Sequence, residues 1–133
     1  MPIEWSDQLS VGHDAIDADH RHLIGLLNEF EAARDLAHAE VTARRLFIYA
    51  KTHFDREEAV QLACDYPHYE EHRLQHRALV EQLNKIIRSH FNAHSRDRVE
   101  IVEQVHRLLT QWIVRHVIDS DLKMKPYIAR MPR

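Results

Sequence analysis

Apolar residues recur every three or four positions along most of the chain, and nothing alternates with the period of two that a strand requires. The first such run, about residues 17–36, carries Leu23, Ile24, Leu27 and Phe30 on one side. Its acidic opening (Asp14, Asp17, Asp19) suits a helix N-terminus, where the backbone dipole favours negative charge. A second run, about 39–64, ends at the break Asp65-Tyr66-Pro67. The third, about 69–91, contains Leu79, Val80, Leu83, Ile86 and Ile87, and a polar stretch from Asn92 to Asp97 separates it from the fourth, about 98–119. Glycine occurs only at 12 and 25, and proline only at 2, 67, 126 and 132, so long stretches of helix formers stand unbroken. Each rod of ~20 residues is about 30 Å long. Short polar linkers make successive rods antiparallel neighbours. The pattern therefore predicts an all-α protein: one domain over 1–133, an up-down-up-down four-helix bundle. Residues 1–16 include Ile3, Trp5, Leu9 and Val11, too apolar to stay in water, and are expected to pack across the bundle as an N-terminal arm.

Composition narrows the function classes. The chain has 133 residues, 29% charged and 44% hydrophobic, with a net charge of −3, so no basic footprint points to nucleic acid. No run approaches the ~18 apolar residues of a membrane span and none resembles a signal peptide, so the expected compartment is the cytoplasm. A single cysteine, Cys64, permits neither an internal disulfide nor a thiolate metal cage. The one unusual count is 12 histidines.

Several of these histidines continue the apolar stripes. His53 and Glu57 are spaced i, i+4, as are His72 and His76, which places each pair within about 40° on one helix face. Leu46 and Ala50 precede the first pair on its face, and Leu79, Val80 and Leu83 follow the second. His20 stands directly before Leu23, Ile24 and Leu27, and His116 one turn after Trp112 and Ile113. A lone histidine on such a face is ordinarily a hydrogen-bonded core residue. Five converging from four helices, with no supply of Ser, Thr or Asn to satisfy them, would bury polar nitrogens at about 1–3 kcal/mol each. A metal centre removes that cost. Asp121 follows His116 by five residues, about 140° away on an ideal helix, and joins the same site only if the last turn widens into a π-like turn. Nitrogen and oxygen donors of this kind serve iron and zinc alike.

Five segments, "WSDQLSVG" (5–12), "IDADH" (16–20), "HFDREE" (53–58), "YPHYEEHRLQH" (66–76) and "WIVRHVIDSD" (112–121), together resemble the hemerythrin family, in particular its single-domain bacterial members. The resemblance implies a non-haem diiron centre: two iron ions with a bridging oxide or hydroxide. His72, His76 and His116 would hold one ion, His20 and His53 the other, with Glu57 and Asp121 bridging. Five histidines, two bridging carboxylates and one bridging oxygen leave a single vacant position on two octahedral ions. The implied function is reversible dioxygen binding by a carrier, storage or delivery protein rather than an enzyme. The alternatives are an oxygen or redox sensor, or a protein that handles peroxide or nitric oxide. Reversible binding needs a dry pocket, and Leu23, Ile24, Leu27, Phe54, Leu109, Trp112 and Ile113 are its expected wall. The expected partners are dioxygen and an unspecified acceptor protein, with no nucleic acid or membrane, and the state a monomer or weak homo-oligomer.

The sequence departs from the family's pattern at His13 and Gln61, where apolar residues are expected, and "AVQLACDYP" lacks the usual methionine. Gln61 and Cys64 are read as capping the bundle's end, the alternative being an altered pocket polarity. His22, His38, His68, His90, His94 and His106 are read as surface. A ferritin-type carboxylate site would need two Glu-x-x-His motifs. The one present, Glu103 to His106, falls about 140° from His116 and reads as surface.

Overall fold

A computed structural model describes residues 4–91, 102–103, 106–107, 109–111 and 115–131, with backbone alone at 86, 89–91, 118 and 119. Helix α1 spans Asp14–Glu31, α2 Leu36–Ala63 and α3 Tyr69–Phe91. The described residues from 102 to 115 are helical too, and no strand occurs among the described residues. The expected bundle is the observed fold.

Local chemistry sets the ends. α1 begins at Asp14, three residues before the expected 17, because His13 Nδ1 accepts the Ile16 backbone N–H at 3.4 Å and so caps the helix. That is the task of a histidine where an apolar residue was expected. α1 stops at Glu31 rather than near 36, since Asp35 is already the cap of α2, accepting the His38 N–H at 2.7 Å. α2 closes in a Schellman arrangement: Tyr66 N–H donates to Gln61 O at 2.9 Å and Asp65 N–H to Leu62 O at 3.3 Å. Asp65 takes the left-handed φ of 54° that this closure requires.

The largest difference lies at the C-terminal end. The chain does not leave its helical path at 119. A π turn covers His116–Ser120, a 3-10 turn Asp121–Met124, and a short helix Lys125–Ala129 follows. Pro126 looked like a breaker, but it occupies the first turn of that helix, where its missing N–H breaks no bond.

The interior divides into two apolar clusters. The larger joins Leu23, Leu27 and Phe30 of α1, Leu46 and Phe54 of α2, Leu83 and Ile87 of α3, and Val102 and Leu109 of the fourth stretch. Leu79 and Val80 are half-buried at its edge. The smaller holds Val11, Ile16, Val60, Tyr66, Met124 and Ile128. The arm takes part in both: Leu9 packs on the larger cluster and Val11 is fully buried in the smaller. Trp5 is half-buried, with the Arg21 guanidinium 4.8 Å from its ring centre. Ile3 lies outside the described residues. Phe30 has no exposed surface at the centre of the larger cluster. Phe30→Ala is expected to cost about 3–5 kcal/mol, read as a lower urea midpoint at unchanged slope.

Candidate metal centre

Between the two clusters lies a buried polar layer. Each helix supplies it where its apolar stripe passes from one cluster to the other: His20 after Ile16, His53 and Glu57 before Val60, His72 and His76 after Tyr66, His116 and Asp121 before Met124. All seven are at most 9% exposed, and Glu57 and Asp121 are fully buried. The π turn at His116–Ser120 lets the last two share the site, as their five-residue spacing demanded.

The donors form two overlapping groups, His72, His76, His116, Glu57 and Asp121 in one, His20, His53, Glu57 and Asp121 in the other. Within each, the ligand atoms lie within 4.8 Å of one another. Both carboxylates are divided between the groups. Glu57 Oε1 is 3.0 Å from His76 Nε2 and 3.9 Å from His116 Nε2, whereas Oε2 is 3.0 Å from His53 Nε2 and 3.7 Å from His20 Nε2. Asp121 Oδ1 lies 3.0 Å from His72 Nε2 and from His116 Nε2, and Oδ2 lies 3.0 Å from His20 Nε2.

Most of these contacts are close enough for charges to interact but lack hydrogen-bond geometry. Nε2 of His20, His53 and His72, Oε2 of Glu57 and both oxygens of Asp121 are buried without a hydrogen-bond partner among the described residues. Buried polar atoms are rarely left so, and cations seated among them would use every one. The donor set fits metal ions.

An outer layer orients the donors. His53 Nδ1 is 3.0 Å from Asp19 Oδ2, and Asp19 also accepts from Tyr49 Oη at 2.7 Å and from the Arg56 guanidinium. Burial alone would raise the Asp19 carboxyl, but His53, Tyr49 and Arg56 hold it below its ordinary value. His76 Nδ1 is 3.0 Å from Glu58 Oε2. An ionised carboxylate only accepts, so Asp19 and Glu58 keep the hydrogen on Nδ1 and leave Nε2 free to bind. The sequence signalled neither role, because Asp19 and Glu58 adjoin candidate ligands inside charged runs that read as solvated surface.

Of the expected wall, Leu23, Ile24, Leu27, Phe54 and Leu109 are buried, and Trp112 and Ile113 lie outside the described residues. Phe54 touches the donors most directly, stacking on His76 at 4.0 Å and meeting the His116 ring edge-on at 5.5 Å. Two surface clefts reach this layer. One, of about 350 Å³, runs between α2 and α3 past Lys51 and Arg77 to Phe54 and His76. The other, of about 190 Å³, passes His68 and Lys123 to His72.

The remaining residues sort clearly. His22, His38 and His68 are exposed. His106 is half-buried rather than on the surface, with Nε2 3.2 Å from Glu31 Oε2. His94 and the side chain of His90 lie outside the described residues. Glu103 is exposed, so no carboxylate-rich site of ferritin type forms around it. Cys64 is half-buried at the end of α2, its thiol 3.6 Å from Gln61 O, in keeping with a capping role. Gln61, by contrast, turns fully inward against His72. No helix among the described residues is long and apolar enough to cross a membrane.

A bacteriohemerythrin of Ralstonia nicotianae is 30% identical over 98% of this chain and 92% of its own length. One from Stenotrophomonas maltophilia is 25% identical over 90% and 76%, and a hemerythrin alpha subunit of Lingula anatina 26% over 93% of each. The crystal structure of a hemerythrin point mutant superposes with a TM-score of 0.82 over 97% of this chain and 99% of that one, at 17% identity, a likeness of fold. Residues 11–128 match the hemerythrin HHE cation binding domain, and the chain belongs to the hemerythrin family.

Proposed function

We propose that the protein binds dioxygen reversibly at a pair of iron ions held by His20, His53, Glu57, His72, His76, His116 and Asp121. The observation that carries this reading is the division of Glu57 and Asp121, each with one oxygen toward the group of His72, His76 and His116 and the other toward the group of His20 and His53. Two carboxylates so placed would hold two ions between them, and the unequal histidine count would leave the ion nearer His20 and His53 with fewer protein ligands. A ferrous pair there would supply the two electrons that dioxygen binding draws on and recovers.

The chain's own residues account for reversibility. Leu23, Leu27, Phe54 and Leu109 are at most 3% exposed in the larger apolar cluster, and Phe54 packs on the rings of His53, His76 and His116, a wall that would keep bulk water from the open side. A dry pocket deprives bound dioxygen of the protons whose addition would release it as peroxide. Asp19 and Glu58 fix His53 and His76 without entering the site, so neither ring turns when the charge on the ions changes.

The optical spectrum of anaerobically reduced, iron-loaded protein tests this reading. Admitting air should produce a visible band that disappears on deoxygenation and returns through repeated cycles. Bleaching to a ferric spectrum that does not recover would replace the carrier reading with peroxide chemistry. No band from a protein that binds zinc but not iron would end it.

A further inference from the structure

A buried carboxamide has two donor hydrogens and an acceptor oxygen to satisfy, and Gln61 meets that demand poorly. It has no exposed surface, and its Oε1 has no hydrogen-bond partner among the described residues. Its Nε2 lies against His72 Nδ1 and 3.2 Å from Met124 Sδ. An apolar side chain of the same length would fill the space without an orphaned polar atom.

His72 gives the amide a task. Its Nε2 faces Asp121 Oδ1 at 3.0 Å and has no hydrogen-bond partner. An imidazole nitrogen binds a metal through its lone pair, so binding at Nε2 requires the ring hydrogen on Nδ1, the atom that touches Gln61. The two ends of a carboxamide have nearly the same shape, so a half-turn exchanges NH2 for oxygen and displaces no neighbour.

We propose that Gln61 is a positioning residue of the metal centre, its Oε1 accepting the Nδ1–H of His72 and so holding the tautomer whose Nε2 binds an ion. With the NH2 end turned to His72, Gln61 would donate to Nδ1 and leave the ring hydrogen on Nε2, the tautomer that cannot bind an ion there. Asp19 and Glu58 can only accept and therefore hold their histidines in one tautomer throughout. Gln61 serves both. The inference rests on the metal-binding reading of the seven donors, and is independent of dioxygen.

Zinc is the probe, because it is diamagnetic and takes the same donors. In wild-type protein loaded with zinc, nitrogen NMR of the His72 ring should show the hydrogen on Nδ1. Finding it on Nε2 overturns the assignment without any variant. In chelator competition, Gln61→Met should weaken the zinc held by His72, His76 and His116 by about 10–100-fold. The same substitution should raise the unfolding midpoint of the metal-free protein by roughly 5 °C, since an orphaned polar group is gone. Gln61→Glu, an obligatory acceptor, should restore zinc affinity to the wild-type level or above. A residue that only fills space gives the opposite pattern, with metal-free stability falling in Gln61→Met and zinc affinity within about threefold of wild type. That result overturns the proposal. Wild-type protein that takes up neither zinc nor iron refutes the centre itself, and this assignment with it.

Discussion

Glu57→Ala will cost the protein paired-ion binding, lowering its metal content from two equivalents to one or none. Among the described residues, Glu57 is the only side chain of α2 or α3 that belongs to both donor groups, with an oxygen within 3.0 Å of His76 on one side and His53 on the other. In the proposed centre, alanine would remove a ligand from each ion and a bridge between them. It also leaves the surrounding imidazoles with Asp121 as the one shared counter-charge. Breaking a buried charged pair on one side costs about 3–5 kcal/mol, so the metal-free variant should also unfold at a markedly lower urea concentration. Glu57→Gln keeps the shape and one acceptor oxygen. It should recover much of the metal-free stability and little of the second ion. Elemental analysis after gel filtration reads the stoichiometry, and two full equivalents retained by the alanine variant would show that Glu57 is no bridge.

The second large effect is that of the ions on stability, and its dependence on pH. A ligand at about 1,000 times its dissociation constant stabilises by about 4 kcal/mol, so two ions raise the unfolding midpoint of a domain this size by roughly 20 °C or more. Calorimetry before and after chelation measures the difference. The sign of the pH effect follows from the metal-free site. Burial by itself would push His20 and His116 down. The Asp121 and Glu57 carboxylates outweigh it and hold the two histidines at about 9 and about 10, against an ordinary 6.5. Both are therefore charged at neutrality and must shed a proton before an ion can bind. Loading releases at least two protons, so the affinity for the ion pair should rise on the order of 100-fold per pH unit around neutrality. The metal-free protein behaves differently. Raised histidines contribute stability that is complete below 6.5 and lost as the pH climbs through 9 to 10. Glu57 and Asp121 are lowered despite burial, held by the histidines around them, and their contribution is lost in acid. Metal-free protein should thus be most stable in mildly acidic solution, and loaded protein at higher pH. A metal content that does not change between pH 6 and 8 would contradict the charged state of these histidines.

Helix identity and the donor positions were readable because both are periodic. His53 with Glu57 and His72 with His76 continue apolar stripes at intervals only a helix aligns, and a stripe that turns polar in all four rods marks a shared interior site. The π turn was readable for a different reason. The interval from His116 to Asp121 is wrong for a straight helix, and a donor out of phase requires a distortion. What escaped were contacts that depend on neither period nor phase. Asp19 lies in α1 but acts on His53 of α2, and Glu58 lies in α2 but acts on His76 of α3. Such pairings join residues 34 and 18 apart through side-chain reach, which no pattern within one helix encodes. Pro126 misled for the opposite reason: it is a strong local signal whose meaning depends on whether it stands inside a helix or in its first turn.

The widened turn has an effect beyond the centre. Each residue added to a helix rotates all that follows by about 100°. The extra residue at 116–120 therefore swings Met124 and Ile128 a quarter-turn or more from where a regular helix would aim them. From that heading they meet Val11 and Ile16 and close the far end of the bundle. One surplus residue decides both whether Asp121 reaches the donors and which face of the terminal helix becomes core, so losing it would unseat a ligand and a hydrophobic seal together.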